Sequence, residues 1–283
     1  MTNSQAPTGL ARRRRRLSDR ETEQRMLGAA VHMVNRTGLA VSLDNIGLED
    51  VIREAGVSRS AVYRLWPYKD LFISDLVKQL AKSATPTIVG DELAMIRRIA
   101  ADHPDWLETP GLRRRLVVEL LRQLSLLDFQ ALYESAGWRT YLALHATFMS
   151  LADGELREQV RLALARSEED HRAQVARAWK ELAGLLGYRL RPGTGASFEL
   201  IATLLDATLR GLVIMALSTP GIATHRAEAD PFGAGTKDEW SMPAMGLASI
   251  ASAFVEPDPA IDWDSERIAR VRHALGCLAV PDG

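Results

Sequence analysis

Apolar residues recur at helical spacing along most of this chain, and this periodicity limits the fold more than any other feature. Leu27, Ala30, Val31 and Val34 follow the i, i+3, i+4, i+7 spacing of one buried helix face. Helical spacing continues through the second half of the chain, whereas no segment shows the sustained alternation of a strand. The sequence therefore predicts an all-α protein whose core is formed by packed helices.

Start and stop signals near the N-terminus predict a succession of short helices. The run 18–21, Ser-Asp-Arg-Glu, has the pattern of a capping box, which begins a helix. A second helix should end at Gly56 through a positive φ angle. Ser58 is placed as the N-cap of a third helix, Arg59–Leu65, which must end before Pro67. Two short helices joined by a glycine turn have the spacing of a helix-turn-helix.

Charge is distributed unevenly along the chain, although the net charge is only -1. Residues 1–80 carry 13 Lys and Arg against 9 Asp and Glu, so the rest of the chain is mildly acidic. A basic N-terminal part attached to an acidic body suits a module that binds a polyanion. A soluble protein with a solvated cationic tail is the alternative that charge alone leaves open.

The run 54–71 reads EAGVSRSAVYRLWPYKDL. Its Ala-Gly-Val-Ser turn, the tyrosine late in the following helix, the Trp-Pro pair and the Lys-Asp-Leu sequence resemble the DNA-binding region of TetR-family transcriptional regulators. The resemblance covers residues 18–80. It implies a three-helix helix-turn-helix DNA-binding domain at 18–80. The arginines at 12–16 predict a basic disordered arm at 1–17 before it. A larger helical effector-binding and dimerisation domain would occupy residues 81–283.

The candidate DNA contacts follow from how a helix-turn-helix docks. The N-terminal part of its second helix enters the major groove, where Arg59, Ser60 and Arg64 could meet base edges. These side chains could instead only cap and solvate a surface helix. By resemblance Tyr63 and Lys69 would bind phosphates, although the Tyr63 ring could also pack in the small core. The complete set of predicted DNA-binding residues is Ser58, Arg59, Ser60, Tyr63, Arg64, Lys69, Arg12, Arg13, Arg14, Arg15 and Arg16.

Polar residues on apolar stripes mark a candidate effector site in the body. Ser167 and His171 interrupt one such stripe in a helix predicted at 155–188, and His145 interrupts another that begins at Trp138. Polar groups need partners once they are buried, so these are either satisfied core residues or lining of a mostly apolar pocket. The predicted pocket residues are Trp138, Tyr141, His145, Met149, Ser167, His171 and Trp179. An apolar or aromatic ligand with one or two polar groups would suit them.

Rival functions find less support in the sequence. Glu168 and His171 have the Glu-x-x-His spacing of carboxylate di-iron bundles, but a ferritin-like enzyme needs a second such motif and two more glutamates. The chain lacks a Gly-x-Ser-x-Gly, a P-loop and a Gly-x-Gly-x-x-Gly sequence. We therefore expect no enzyme activity, no cofactor and no metal. A DNA-binding architectural protein without a ligand is a third possibility, but it leaves the large body unexplained.

The remaining expectations concern assembly and location. The run 196–217 is apolar on nearly all sides, and one of its two stripes could serve the core while the other meets a second copy. The longest uninterrupted apolar run there is 211–217, far below the roughly 20 residues of a membrane span. The single cysteine, Cys277, fits a reducing cytoplasm. Residues 219–262 should form a long loop containing a short helix near 245–254, before a last helix at 265–278. The sequence as a whole predicts a cytoplasmic homodimeric repressor that a small molecule releases from its operator.

Overall fold

A computed structural model describes residues 17–37, 46–83 and 91–278, which form helices and four very short strands. The prediction of an all-α protein is confirmed. The N-terminal headpiece, residues 17–83, contains α1 (Asp19–Thr37), α2 (Leu48–Ala55), α3 (Arg59–Leu65) and α4 (Lys69–Ser83). The body contains α5 (Asp91–Asp102), α6 (Pro110–Glu134), α7 (Ala136–Ser150), α8 (Glu155–Leu185), α9 (Phe198–Ser218), α10 (Gly221–Thr224), α11 (Met242–Phe254) and α12 (Ser265–Gly276).

The local signals of the headpiece act as the sequence predicts. The backbone N–H of Ser18 donates to a Glu21 carboxylate oxygen at 2.8 Å, and the Glu21 N–H donates back to the Ser18 hydroxyl at 3.2 Å. Gly56 ends α2 at φ 64°, a left-handed conformation in which only glycine avoids a steric cost. The Ser58 hydroxyl accepts from the Ala61 N–H at 3.3 Å and begins α3. The glycine turn and the serine cap together fix how α3 leaves α2.

One apolar core joins the headpiece to the body. Phe72 and Leu76 of α4 are fully buried in it, as is Leu144 of α7. Val160 and Leu164 complete the same cluster from the first half of α8. A hydrogen bond of 3.0 Å from the Thr140 hydroxyl of α7 to the Asn35 side chain of α1 adds a polar link. The position of α1 and α4 is therefore coupled to the position of α7 and α8 through close-packed side chains.

The C-terminal segment contains more regular structure than the predicted long loop. Within 219–262 the chain forms α10, then an antiparallel hairpin of β2 (Arg226–Ala229) and β3 (Asp238–Ser241), then α11. A second antiparallel pair joins β1 (Tyr188–Leu190) to β4 (Val255–Pro257). These strands are three or four residues long, too short for alternation to be visible in the sequence. The helix predicted at 155–188 ends at Leu185 because Gly187, at φ 74° against the Trp263 ring, turns the chain into β1.

Helix α9 lies between the core and an uncovered surface. Ile201, Leu205 and Leu209 are buried against α8, α6 and α11. Leu200 and Ile214, on the other stripe, are exposed. By length and composition α9 is the one helix of the described residues that could cross a membrane, which is weak support for a span because a core helix passes the same test. Its packing against three neighbouring helices is that of a core helix with one free face.

Candidate nucleic-acid interface and effector site

Helix α3 presents a polar face to solvent. Val62 is its one fully buried residue, packed in the core shared with α1 and α4. The Arg59 side chain is 74% exposed, and the Arg64 side chain is 46% exposed. Tyr63 is exposed too, so its ring does not fill the small core, which was one of the two alternatives for this residue. The Ser60 hydroxyl lies 3.4 Å from that of the N-cap Ser58 at the start of the helix.

Carboxylates of neighbouring helices hold three of these side chains. Glu49 of α2 accepts a guanidinium contact from Arg59 at 2.7 Å and the Tyr63 hydroxyl at 3.1 Å. The hydrogen bond to Glu49 raises the pKa of Tyr63 above its usual value. Arg64 forms an ion pair with Asp19 at the start of α1. The exposed face of α3 therefore includes two acids that do not belong to α3.

The turn after α3 is held by the Trp-Pro pair of the motif. Trp66 is buried, donates from its indole N–H to Asp75 at 2.9 Å and packs edge-to-face on Phe72 at 5.2 Å. Lys69 is half-buried at the first residue of α4, the position expected of a phosphate contact near a helix N-terminus. The predicted arm residues Arg12, Arg13, Arg14, Arg15 and Arg16 lie outside the described residues.

The predicted effector residues fall on α7 and α8, and most of them come together. Trp138 and Tyr141 are almost fully buried on α7, and the Tyr141 ring meets the ring of His145 edge-to-face at 4.4 Å. Ser167 and His171 are buried on α8. Met149 is 75% exposed near the end of α7 and does not belong to this group. Trp179 is partly buried two turns beyond His171, in the apolar cluster around α9.

A charged network that links three helices occupies the place predicted for an apolar pocket. Arg210 of α9 donates to Tyr141 of α7 at 3.0 Å and to Glu168 of α8 at 2.7 Å. Asp206, one turn before Arg210, contacts His171 at 3.1 Å. His171 is thus a buried histidine with a carboxylate partner, which is the core alternative stated for it above. Burial and, to a smaller extent, the Arg210 charge lower the pKa of His145 below its usual value.

Several polar atoms of this region are buried without a hydrogen-bond partner in the described part of the chain. They are the Trp138 indole nitrogen, Nη2 of Arg210, Nε2 of His145 and Oδ1 of Asp128 on α6. Burial raises the pKa of Asp128 well above its usual value, and the neighbouring Glu92 carboxyl adds to the effect. Unsatisfied buried polar groups are uncommon in folded proteins, so this group is a candidate ligand-binding site.

The Glu-x-x-His motif of Glu168 and His171 does not form the arrangement that a di-iron centre requires, in which both side chains point to one site. Glu168 binds Arg210 while His171 faces Asp206, so the two side chains serve separate partners. Among residues 17–37, 46–83 and 91–278, no group of three or more His, Cys, Asp or Glu side chains is placed to hold a metal ion. The described residues give the ferritin-like alternative no support.

A concave surface lies away from this network. A cleft of about 190 Å³ is bounded by α6 and by the β2–β3 hairpin. The rings of His103 and Trp106 stack within it at 3.7 Å, and the Arg115 guanidinium lies 4.7 Å from the Trp106 ring centre. The Trp106 ring is already covered by these two neighbours, so the cleft offers a ligand little aromatic surface.

The sequence does not reveal Glu49, Asp19, Asp206 or Arg210 as site residues. Glu49 and Asp19 are ordinary first-turn acids of helices, and only the angle between helices brings them to α3. Asp206 and Arg210 offer a clearer signal, because an acid and a base one turn apart interrupt an otherwise apolar helix. A charged pair of that kind is retained inside a core where each member finds partners, and α8 and α7 supply them.

A four-helix headpiece that exposes α3, continuous with a larger helical body, gives the chain the fold of a helix-turn-helix protein. Comparison with solved structures finds TylP, described as a TetR regulator from Streptomyces fradiae, at 16% identity over 90% of both chains and a TM-score of 0.40. NemR of E. coli in its reduced form has 15% identity over 85% of this chain and all of that one, with a TM-score of 0.43.

NalD, the secondary repressor of the MexAB-OprM multidrug efflux pump in Pseudomonas aeruginosa, has 17% identity over 84% of this chain and 98% of that one, with a TM-score of 0.40. No family model matches the chain, and no curated protein does either. The chain resembles TetR-family regulators, as the run 54–71 predicted, and at these scores the likeness is a distant one of fold.

Proposed function

We propose that this protein is a sequence-specific DNA-binding transcriptional regulator. The observation that carries the proposal is α3, a short helix capped by Ser58 that buries Val62 and turns Arg59, Tyr63 and Arg64 outward. A helix so presented fits the major groove, where an arginine can bind guanine through two hydrogen bonds. Exposed Tyr63 and the N-terminal Lys69 of α4 would hold phosphates on either side.

Selection of genomic DNA fragments on the purified protein tests this proposal. We expect enrichment of a palindromic sequence that binds much more tightly than random duplex. Substitution Arg64→Ala should weaken binding to that sequence by about 1–3 kcal/mol if the side chain reads a base. Arg53→Ala is the matched control, because Arg53 is an exposed arginine on α2 paired with Asp50. Equal binding to selected and random DNA would contradict the proposal.

We propose further that the protein acts as a homodimeric repressor in the cytoplasm, released by a small molecule bound between α7, α8 and α9. Trp138, His145 and Arg210 each hold a buried nitrogen without a hydrogen-bond partner in the described residues. The His145 and Arg210 nitrogens lie 3.8 Å from Glu168 and 3.7 Å from Asp206, beyond hydrogen-bond distance, so a ligand with hydrogen-bond acceptors would satisfy all three. The acids Glu168 and Asp206 outnumber the single arginine of the network, so they disfavour a negatively charged ligand there. An aromatic or apolar molecule with neutral carbonyl oxygens fits both features.

Release requires a ligand that binds two conformations with different affinity. Helix α7 carries Tyr141 and His145 toward the charged network and Leu144 into the core shared with the headpiece. A shift of α7 on ligand binding would therefore displace α1 and α4. Because α3 packs on the same core, the distance between the two α3 helices of a dimer would change. This connection supports effector control over an architectural role without a ligand.

A thermal-shift screen with aromatic ketones, followed by DNA-release titrations, tests the effector site. Trp138→Phe keeps an aromatic ring and removes the N–H, so it should raise the concentration needed for release while leaving DNA binding without ligand unchanged. Met149→Ala should alter neither property, because Met149 is exposed outside the network. A Trp138→Phe variant with an unchanged release curve would place the ligand elsewhere.

A further inference from the structure

The charge of the N-terminal 80 residues is close to balanced once Arg12 to Arg16 are set aside. Without Arg12 to Arg16, residues 1–80 contain 8 Lys and Arg against 9 Asp and Glu. Nonspecific affinity for DNA comes from cations that neutralise phosphates, so a balanced surface has little of it. Two of the acids lie where they matter most, beside α3.

Glu49 is placed to compete directly with DNA for the recognition helix. Its two carboxylate oxygens are divided between Arg59, at 2.7 Å, and the Tyr63 hydroxyl, at 3.1 Å. These are the same donors that would otherwise bind a base edge and a phosphate. Asp19 occupies the third donor, Arg64, in the same manner from α1.

We propose that Glu49 is a specificity-determining residue, an internal acid that holds Arg59 and Tyr63 until a matching base sequence displaces it. The inference rests on the proposed DNA-binding function. On random DNA, the new phosphate contacts of Arg59 and Tyr63 only replace contacts they already make, and the released carboxylate then faces phosphates of like charge. On the operator, bidentate contacts to bases exceed what Glu49 offers, and a released carboxylate can accept from a cytosine amino group.

Neighbouring Glu54 provides a matched control for this idea. It also lies on α2, but it bonds His32 at 2.9 Å and Arg36 at 3.3 Å, both on α1. Glu49→Gln and Glu54→Gln thus remove the same charge from the same helix, and only the first frees side chains of α3. A difference in DNA affinity between the two variants is therefore due to the Glu49 contacts with α3 and not to the change in net charge.

Binding is measured by fluorescence anisotropy with a 30-base-pair duplex of random sequence and with the selected genomic fragment, across a salt series. We expect Glu49→Gln to bind random duplex about threefold to tenfold tighter than wild type, because exposed ion pairs are individually weak. Its salt dependence should be steeper by about one phosphate contact. The ratio of specific to nonspecific affinity should fall, and adding Arg59→Ala should reverse most of the gain.

The outcomes separate this inference from the function on which it rests. If Glu49→Gln and Glu54→Gln bind random duplex equally, or if Glu49→Gln leaves the affinity ratio unchanged, Glu49 does not determine specificity although the protein binds DNA. If neither wild type nor variants bind any duplex at low salt, both proposals fail. Circular-dichroism melting of each variant ensures that all are compared as folded proteins.

Discussion

Two carboxyl groups on α6 should make opposite contributions to stability as the pH changes. Burial raises the pKa of Asp128 above its ordinary value of 3.8, and Glu92 adds to the shift. Burial alone would raise the pKa of Glu119 too, but hydrogen bonds from Arg122 and Gln123 outweigh it and lower this pKa. A raised carboxyl pKa penalises the folded state once the pH exceeds the unfolded value, whereas a lowered one stabilises it there.

Asp128→Asn should therefore stabilise the protein at pH 7.5, because the amide carries no charge whose burial the folded state must bear. The gain should shrink as the pH falls toward 4, where the unfolded carboxyl also becomes protonated. Glu119→Gln should destabilise at pH 7.5, and its loss should shrink over the same fall in pH. Urea unfolding at both pH values measures the two effects, and a stability loss for Asp128→Asn at pH 7.5 would mean that its carboxylate has a partner.

At the level of single residues, the sequence predicts what depends on neighbours in the chain. Ser58, Gly56 and the pair Ser18 and Glu21 act over three or four residues, so their roles follow from spacing alone. The partners of Arg59 and Arg64 lie 10 and 45 positions away, at Glu49 and Asp19. No local rule connects them, because only the packed angles of α1, α2 and α3 bring these side chains together.

At the scale of the helices, the strained turn between α2 and α3 can be tested by substituting Gly56, with Gly28 of α1 as the comparison. Gly56 has φ 64°, so Gly56→Ala should destabilise by about 1–2 kcal/mol although no atom lies within 4 Å of the added methyl. Gly28 is exposed within α1 with open space around it, so Gly28→Ala should stabilise by about 0.5–1 kcal/mol. Thermal unfolding of both variants checks the opposite signs, and equal effects would contradict the strained turn.

The sequence predicts long helices well and their surroundings poorly. Helix α9 was expected from its apolar residues and its two stripes, and the structure buries one stripe and leaves the other free. The charged pair is visible in the sequence, but the partners of Arg210, Tyr141 and Glu168, lie 69 and 42 positions away on other helices. An apolar pocket was therefore expected where the fold places a network of charges.

At the scale of the whole molecule, the free stripe of α9 makes dimerisation testable. Ile214→Asp places a charge on that stripe, so it should convert a dimer to a monomer at micromolar concentration and abolish tight binding to a palindrome. Half-sites of such a palindrome should lie about 34–36 Å apart, or a multiple of that distance. Met149→Asp, at an exposed position on α7, is the control. Sedimentation that finds Ile214→Asp still dimeric would move the interface to another surface.

The shared core of headpiece and body limits how this protein could be rebuilt as a biosensor. Attaching its first four helices to a foreign sensing module, with the junction after Ser83, would leave Phe72 and Leu76 without Leu144, Val160 and Leu164. Such a chimera would expose apolar surface and lose the packed connection through which the proposed ligand would act on DNA binding. The smallest transferable unit therefore includes α7 and the first half of α8, and retargeting is better done by exchanging side chains of α3 in place.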